Sequence, residues 1–148
     1  MERFTVLDIS GDIGLRAYGE DIKDAFINAA IGMYSLITGL DAIEEEKTID
    51  ISVEGHSIEG LLVSWLNELI FYFDAYGFIG EKVTINELTL PASQLPSFST
   101  FQLKASISGE GFDPQRHESK LLIKAATYHK LRIERVNDMW EIDVIFDI

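Results

Sequence analysis

The side chains best placed to do chemistry in this sequence are carboxylates near its two ends. Asp8 and Asp12 bracket Ile9-Ser10-Gly11, and Asp147 is followed by Ile148. Phe146 falls in the inward row of an alternating final stretch, so Asp147 points outward, and the α-carboxylate of Ile148 lies one residue on. A side-chain carboxylate beside a main-chain carboxylate supplies hard oxygen donors, which suit calcium or magnesium and not thiolate-seeking metals. A third carboxylate from the first turn would complete a site. The plain alternative is that these are ordinary solvated aspartates.

Other chemistries find less support. The sequence has no cysteine, which removes disulfides, thiolate zinc sites, iron–sulfur clusters and cysteine nucleophiles together. His56, His117 and His129 are far apart, with no pair at the three- or four-residue spacing that sets two imidazoles on one metal. No Gly-x-Ser-x-Gly elbow and no glycine-rich phosphate loop precedes a helix. Lys124 reads as outward-facing, either a solvated lysine or a partner for acidic groups. Asp113-Pro114 followed by Gln115, Arg116 and His117 reads as a turn between strands that His117 could cap or anchor. Glu44-Glu45-Glu46 reads as an exposed loop.

Charge narrows the partners. The formal net charge is −13, and it is uneven: residues 1–90 carry 17 acids against 5 bases, residues 91–148 carry 8 against 7. Such a surface disfavours direct binding to a phosphate backbone, so no direct nucleic-acid binding is expected. It serves solubility, or an acidic face that meets a basic partner or collects cations. Met1-Glu2-Arg3-Phe4 is not a basic stretch leading into an apolar core, and the apolar runs are soon interrupted by Glu, Asp or Asn. The expectation is a cytoplasmic protein with no membrane partner.

The elements that must position these groups follow from periodicity. Phe4 and Val6 alternate with polar neighbours, as do Ile13, Leu15 and Ala17, which predicts two strands joined by a hairpin or tight corner near Asp8-Ile9-Ser10-Gly11. Ile22, Ala25, Phe26, Ala29, Ala30, Met33 and Ile37 recur at helical spacing, with Asp21 as N-cap and Gly39 as stop. Ile58, Leu61, Leu62, Trp65, Leu66, Leu69, Ile70 and Phe73 predict a second helix, capped by Ser57 and ended by Gly77. Alternation predicts strands around Ile49–Val53, Val83–Ile85, Phe101–Ile107, Leu121–Tyr128, Leu131–Ile133 and Trp140–Phe146. A long loop is expected over Pro91 to Ser97. Phe71, Tyr72, Tyr76 and Phe78 are either an exposed aromatic patch or core. The sum is an α+β fold in a single domain over 1–148, with mostly antiparallel β-sheets and two amphipathic helices packed on one face.

Several segments, in order, resemble the archease family along nearly the whole chain. Leu7-Asp8-Ile9-Ser10-Gly11-Asp12-Ile13-Gly14 is similar to its Asp-His-Thr-Ala-Asp-Val-Gly opening, and Leu62 through Phe73-Asp74 to its long leucine-rich helix. Gly109-Glu110-Gly111-Phe112-Asp113-Pro114-Gln115-Arg116-His117 resembles its Gly-Glu-x-x-Asp-Pro-x-x-His turn, and Lys124-Ala125-Ala126-Thr127-Tyr128-His129 its Lys-Ala-x-Thr-Tyr-His strand. Phe146-Asp147-Ile148 matches its ending. The resemblance implies a non-catalytic cofactor of the GTP-dependent tRNA-splicing RNA ligase, one that promotes guanylylation and multiple turnover of that partner. It implies a divalent metal ion, calcium first with magnesium or manganese as alternatives, on Asp12, Asp147 and Ile148. Asp8, Lys124 and His129 support that site. The family's His after its first Asp is Ile9 here, and its Thr-Ala is Ser10-Gly11, so the site does without that imidazole or uses His129. Two other classes compete: a small metal-dependent hydrolase using the same carboxylates, and a chaperone-like acidic binding module that needs no metal.

Overall fold

The computed structural model describes residues 2–91 and 100–148. The loop expected over Pro91 to Ser97 lies, apart from Pro91, outside the described residues. Strand β1 (Phe4–Ile9) turns directly into β2 (Asp12–Gly19), with Ile9 opposite Asp12. Ser10 and Gly11 both take positive φ, 51° and 88°, which is the two-residue turn whose twist matches that of the flanking strands. Val6, expected in the inward row with Phe4, is 53% exposed. Its strand is the outermost of the sheet, and the packed end is the one where Phe4 lies close to Gly32 of the first helix.

Helix α1 (Ile22–Ile37) starts where the Asp21 carboxylate accepts the Asp24 N–H at 2.7 Å. It ends without the left-handed glycine expected at Gly39. Thr38 is extended instead, and the last carbonyls are satisfied from a distant segment. Lys120 N–H donates to Ile37 O at 3.0 Å, Leu121 N–H to Leu36 O at 3.1 Å, and the Lys120 ammonium to Ser35 O at 3.2 Å.

That arrangement corrects the strand expected over Leu121–Tyr128. The backbone donors at its start are committed to the end of α1, so only Ala125–Ala126 pairs as a strand, β6.

After a short 3-10 turn at Leu40–Ala42 come β3 (Lys47–Gly55) and α2 (Ile58–Tyr76). Ser57 Oγ caps α2 by accepting the Gly60 N–H at 2.9 Å, and Gly77 closes it in the left-handed region at φ 66°. Strands β4 (Phe78–Thr89), β5 (Phe101–Gly111), β7 (Arg132–Val136) and β8 (Met139–Asp147) complete the chain. β7 and β8 are joined by Asn137-Asp138, both at positive φ, a second two-residue turn.

All described strand pairs are antiparallel. One sheet has the order β1-β2-β8-β6 with β7 also on β8, and the other has the order β3-β5-β4. The helices lie between them: α1 packs on β1, β2 and β8 and also on β4, while α2 packs on β3, β4, β5 and β6. This is why α1 is buried almost all round, with Asn28 kept inside by its amide bond to Tyr18 O at 2.7 Å. Trp65 is fully buried, and its indole N–H donates to Phe26 O at 3.0 Å, tying the two helices together. The aromatic group divides. Phe78 is core, whereas Phe71 and Tyr76 are 51% and 66% exposed, with the Phe71 ring edge-on to both Tyr72 and Tyr76. No described helix is long and apolar enough to cross a membrane.

Candidate functional site

The carboxylates meet at one end of the larger sheet. β2 and β8 pair with Ile13 opposite Phe146, and one further step of that register sets Asp12 against Asp147. Both are exposed and project from the outer face, because Ile13 and Phe146 occupy the inward row. Asp8 behaves differently. It pairs with Ile13 across β1, so its side chain leaves the sheet on the opposite face from that of Asp12.

The segment after β6 brings the remaining groups. Lys124 N–H donates to Asp147 O at 2.8 Å, so at this site it is the backbone of Lys124 that is bonded, while its side chain is exposed. Thr127 fixes the next turn by donating both its N–H, at 3.0 Å, and its hydroxyl, at 2.8 Å, to Ile145 O. The Thr127 hydroxyl also accepts the His129 N–H at 3.3 Å. His129 Nε2 then stands 3.9 Å from Asp12 Oδ2, with both side chains more than half exposed.

Two carboxylates facing each other across a ladder repel. The nearest strand cation on that face is Arg16, and it is already engaged by Asp143, which also receives Arg132. The pair Gly14–Ile145 separates this ionic cluster from Asp12 and Asp147. The donor chemistry at the sheet end therefore fits a hard cation. Among the described residues, however, no three His, Asp or Glu side chains converge on one point, so further oxygen donors would have to come from the main chain, the Ile148 carboxylate or water.

The Arg16–Asp143–Arg132–Glu141 cluster was not foreseen from the sequence. Its signal was there in the polar positions alternating with Leu15, Ala17, Ile142 and Val144, but the pairing needs the strand order. Arg132 donates from Nη2 to Glu141 Oε1 at 2.8 Å and also meets Glu134. Burial pushes the Asp143 carboxyl up, and the Arg16 and Arg132 hydrogen bonds more than offset it, leaving it below its ordinary value.

The expected turn at Asp113–His117 is present and anchored from inside. His117 accepts the Asp113 N–H on Nδ1 at 2.8 Å, so Nε2 is its protonated nitrogen and faces Glu110 Oε2 at 3.3 Å. Glu110 is buried, also takes the Glu44 N–H at 2.5 Å, and is paired with Arg116. The hydrogen bonds from Arg116 and the Glu44 N–H, with the His117 imidazole close by, hold its carboxyl at about 2. The motif around this turn is a structural anchor that joins β5 to the segment that caps α1.

Comparison with known proteins decides the family. The sequence profile of the Archease protein family matches residues 4–148. The chain belongs to the archease family. Protein archease of Pyrococcus furiosus is 35% identical over the full length of both chains, and that of Sulfurisphaera tokodaii is 31% identical, also over both full lengths. Among solved structures, Methanobacterium thermoautotrophicum protein 1598 covers all of both chains at 25% identity with a TM-score of 0.79. The Thermotoga maritima structure described as an archease and possible chaperone shares the fold, at 18% identity and a TM-score of 0.55 over 96% of this chain and 94% of its own. The α+β archease fold expected from the sequence is the fold observed.

Proposed function

We propose that this archease is a non-catalytic, divalent-metal-binding accessory protein that activates a GTP-dependent tRNA-splicing RNA ligase by promoting its guanylylation and repeated turnover. The reading rests on family membership and on one structural inference: the β2–β8 register, continued one step past Ile13–Phe146, brings Asp12 beside Asp147, and the nearest strand cation on that face among the described residues, Arg16, is engaged by Asp143. A calcium ion, or magnesium or manganese in its place, held by Asp12, Asp147 and the Ile148 carboxylate, relieves that repulsion and presents a charged surface to the ligase. His129 lies beside Asp12 and Lys124 holds the Asp147 main chain, so both support the site. Asp8 projects from the other face and acts at most through the turn that carries Asp12.

The test is multiple-turnover guanylylation of a purified ligase from the same source, with wild-type protein, with Asp147→Ala and with Ile148 deleted. Acceleration by wild type and its loss in both folded variants supports the reading. Full activation by both variants overturns the metal site, and no effect of wild type on its cognate ligase overturns the accessory role.

A further inference from the structure

Among the described residues, strand β3 is bonded on one side only. It pairs with β5, and along its other edge the backbone groups of alternate residues face outward. Helix α2 packs beside that strand, and between them runs a groove of about 500 Å3 lined by Ser52, Glu54, Val63, Asn67, Glu68 and Phe71. Past Glu54 it opens into a second hollow of about 270 Å3 bordered by His56, Ser64 and Tyr128. An open strand edge alongside a helix is the arrangement into which an extended peptide adds as a further strand, with main-chain bonds for affinity and the groove for alternate side chains.

The lining defines the peptide. Val63 gives an apolar floor, and aromatic rings stand at the two ends, Phe71 at 51% and Tyr128 at 63% exposed. Glu54 and Glu68 supply negative charge, and neither hollow is lined by a lysine or arginine. Asn67 is held in place because its side-chain oxygen accepts the Ala126 N–H at 2.8 Å, which leaves its amide donors directed elsewhere. With a net charge of −13, an acidic peptide or a nucleic acid is repelled.

We propose that the β3–α2 groove binds an extended, lysine-bearing peptide segment of a partner protein, which adds antiparallel or parallel to β3 with its cations on the outer face beside Glu54 and its apolar residues toward Val63 of α2. Asp12, Asp147 and His129 do not line the groove, and the proposal stands whether or not that end holds a metal.

Binding is measured by fluorescence anisotropy with a short labelled peptide alternating lysine and valine, against one alternating glutamate and valine. The lysine peptide should bind, the glutamate peptide should not, and Glu54→Lys with Glu68→Lys should weaken binding by roughly tenfold or more. Glu46→Lys, elsewhere on the surface, should change it far less, and circular dichroism confirms that each variant is folded. A lysine peptide N-methylated at alternate residues, on whichever edge faces β3, should lose binding because it can no longer donate along that edge. Equal binding of the two peptides, equal effects of Glu46→Lys and the groove variants, or unchanged binding of both N-methylated registers would each overturn the proposal.

Discussion

Arg16 closes on Asp143 with two hydrogen bonds, Nε to Oδ1 at 2.8 Å and Nη2 to Oδ2 at 3.0 Å. Arg132 adds a third at 3.0 Å and a fourth at 3.3 Å, so one carboxylate on β8 gathers a guanidinium from β2 and one from β7. The forked geometry fixes both arginines away from the sheet end, which keeps Asp12 and Asp147 free of strand cations.

Asp143→Asn leaves two guanidinium groups close together without their shared anion. Because Arg16 is 38% exposed, the loss should be moderate, about 2 kcal/mol, read from urea unfolding. The folded Asp143 is depressed below 3.8, so its contribution is present above that pH and is lost as pH falls through the lower folded value. The Asn variant should lack this part of the acid dependence.

Glu110 gives a second acid signature. Its carboxyl is held at about 2 against an ordinary 4.5, so it stabilises the fold fully above about pH 4.5 and loses that effect as pH falls toward 2. Glu110→Gln should lower the melting temperature at neutral pH and flatten the loss of stability across that window. An unchanged acid profile would show that Arg116 and His117 do not hold the carboxylate as described.

Gly77→Ala isolates a backbone effect. A Cβ there meets nothing within 4 Å, yet φ is 66°, so the cost is the left-handed conformation alone, roughly 1–2 kcal/mol. Chemical denaturation should show that loss with the denaturant slope unchanged.

Asp12→Asn should have a two-part signature. In chelator it should be at least as stable as wild type, because it removes a like charge opposite Asp147. Calcium at a hundred times its dissociation constant should stabilise the wild type by about 2.7 kcal/mol and the variant far less. Calorimetric melting in chelator and in calcium distinguishes the two effects, and a wild type indifferent to calcium, magnesium and manganese would remove the metal from the site.

Both helices were legible because their stripes and N-caps, Asp21 and Ser57, are local signals, and Gly77 ends α2 in the way its type implies. Gly39 misled because the end of α1 is satisfied by Lys120 and Leu121, a contact that no local pattern records. The same contact explains the missing strand before Ala125. Alternation placed Asp147 outward, but only the β2–β8 register sets it opposite Asp12, and only the β1–β2 register turns Asp8 to the other face. Non-local pairing likewise hid the arginine cluster.

The pairing of β2 with β8 also governs when the protein can fold during synthesis. β2 is made early and waits through both helices and the whole second sheet for its neighbour. During synthesis the β1–β2 hairpin therefore precedes the strand that completes its sheet by most of the chain. Completion of the larger sheet is a late event that joins sequence-distant strands, and the Asp12–Asp147 end comes into being only at that step.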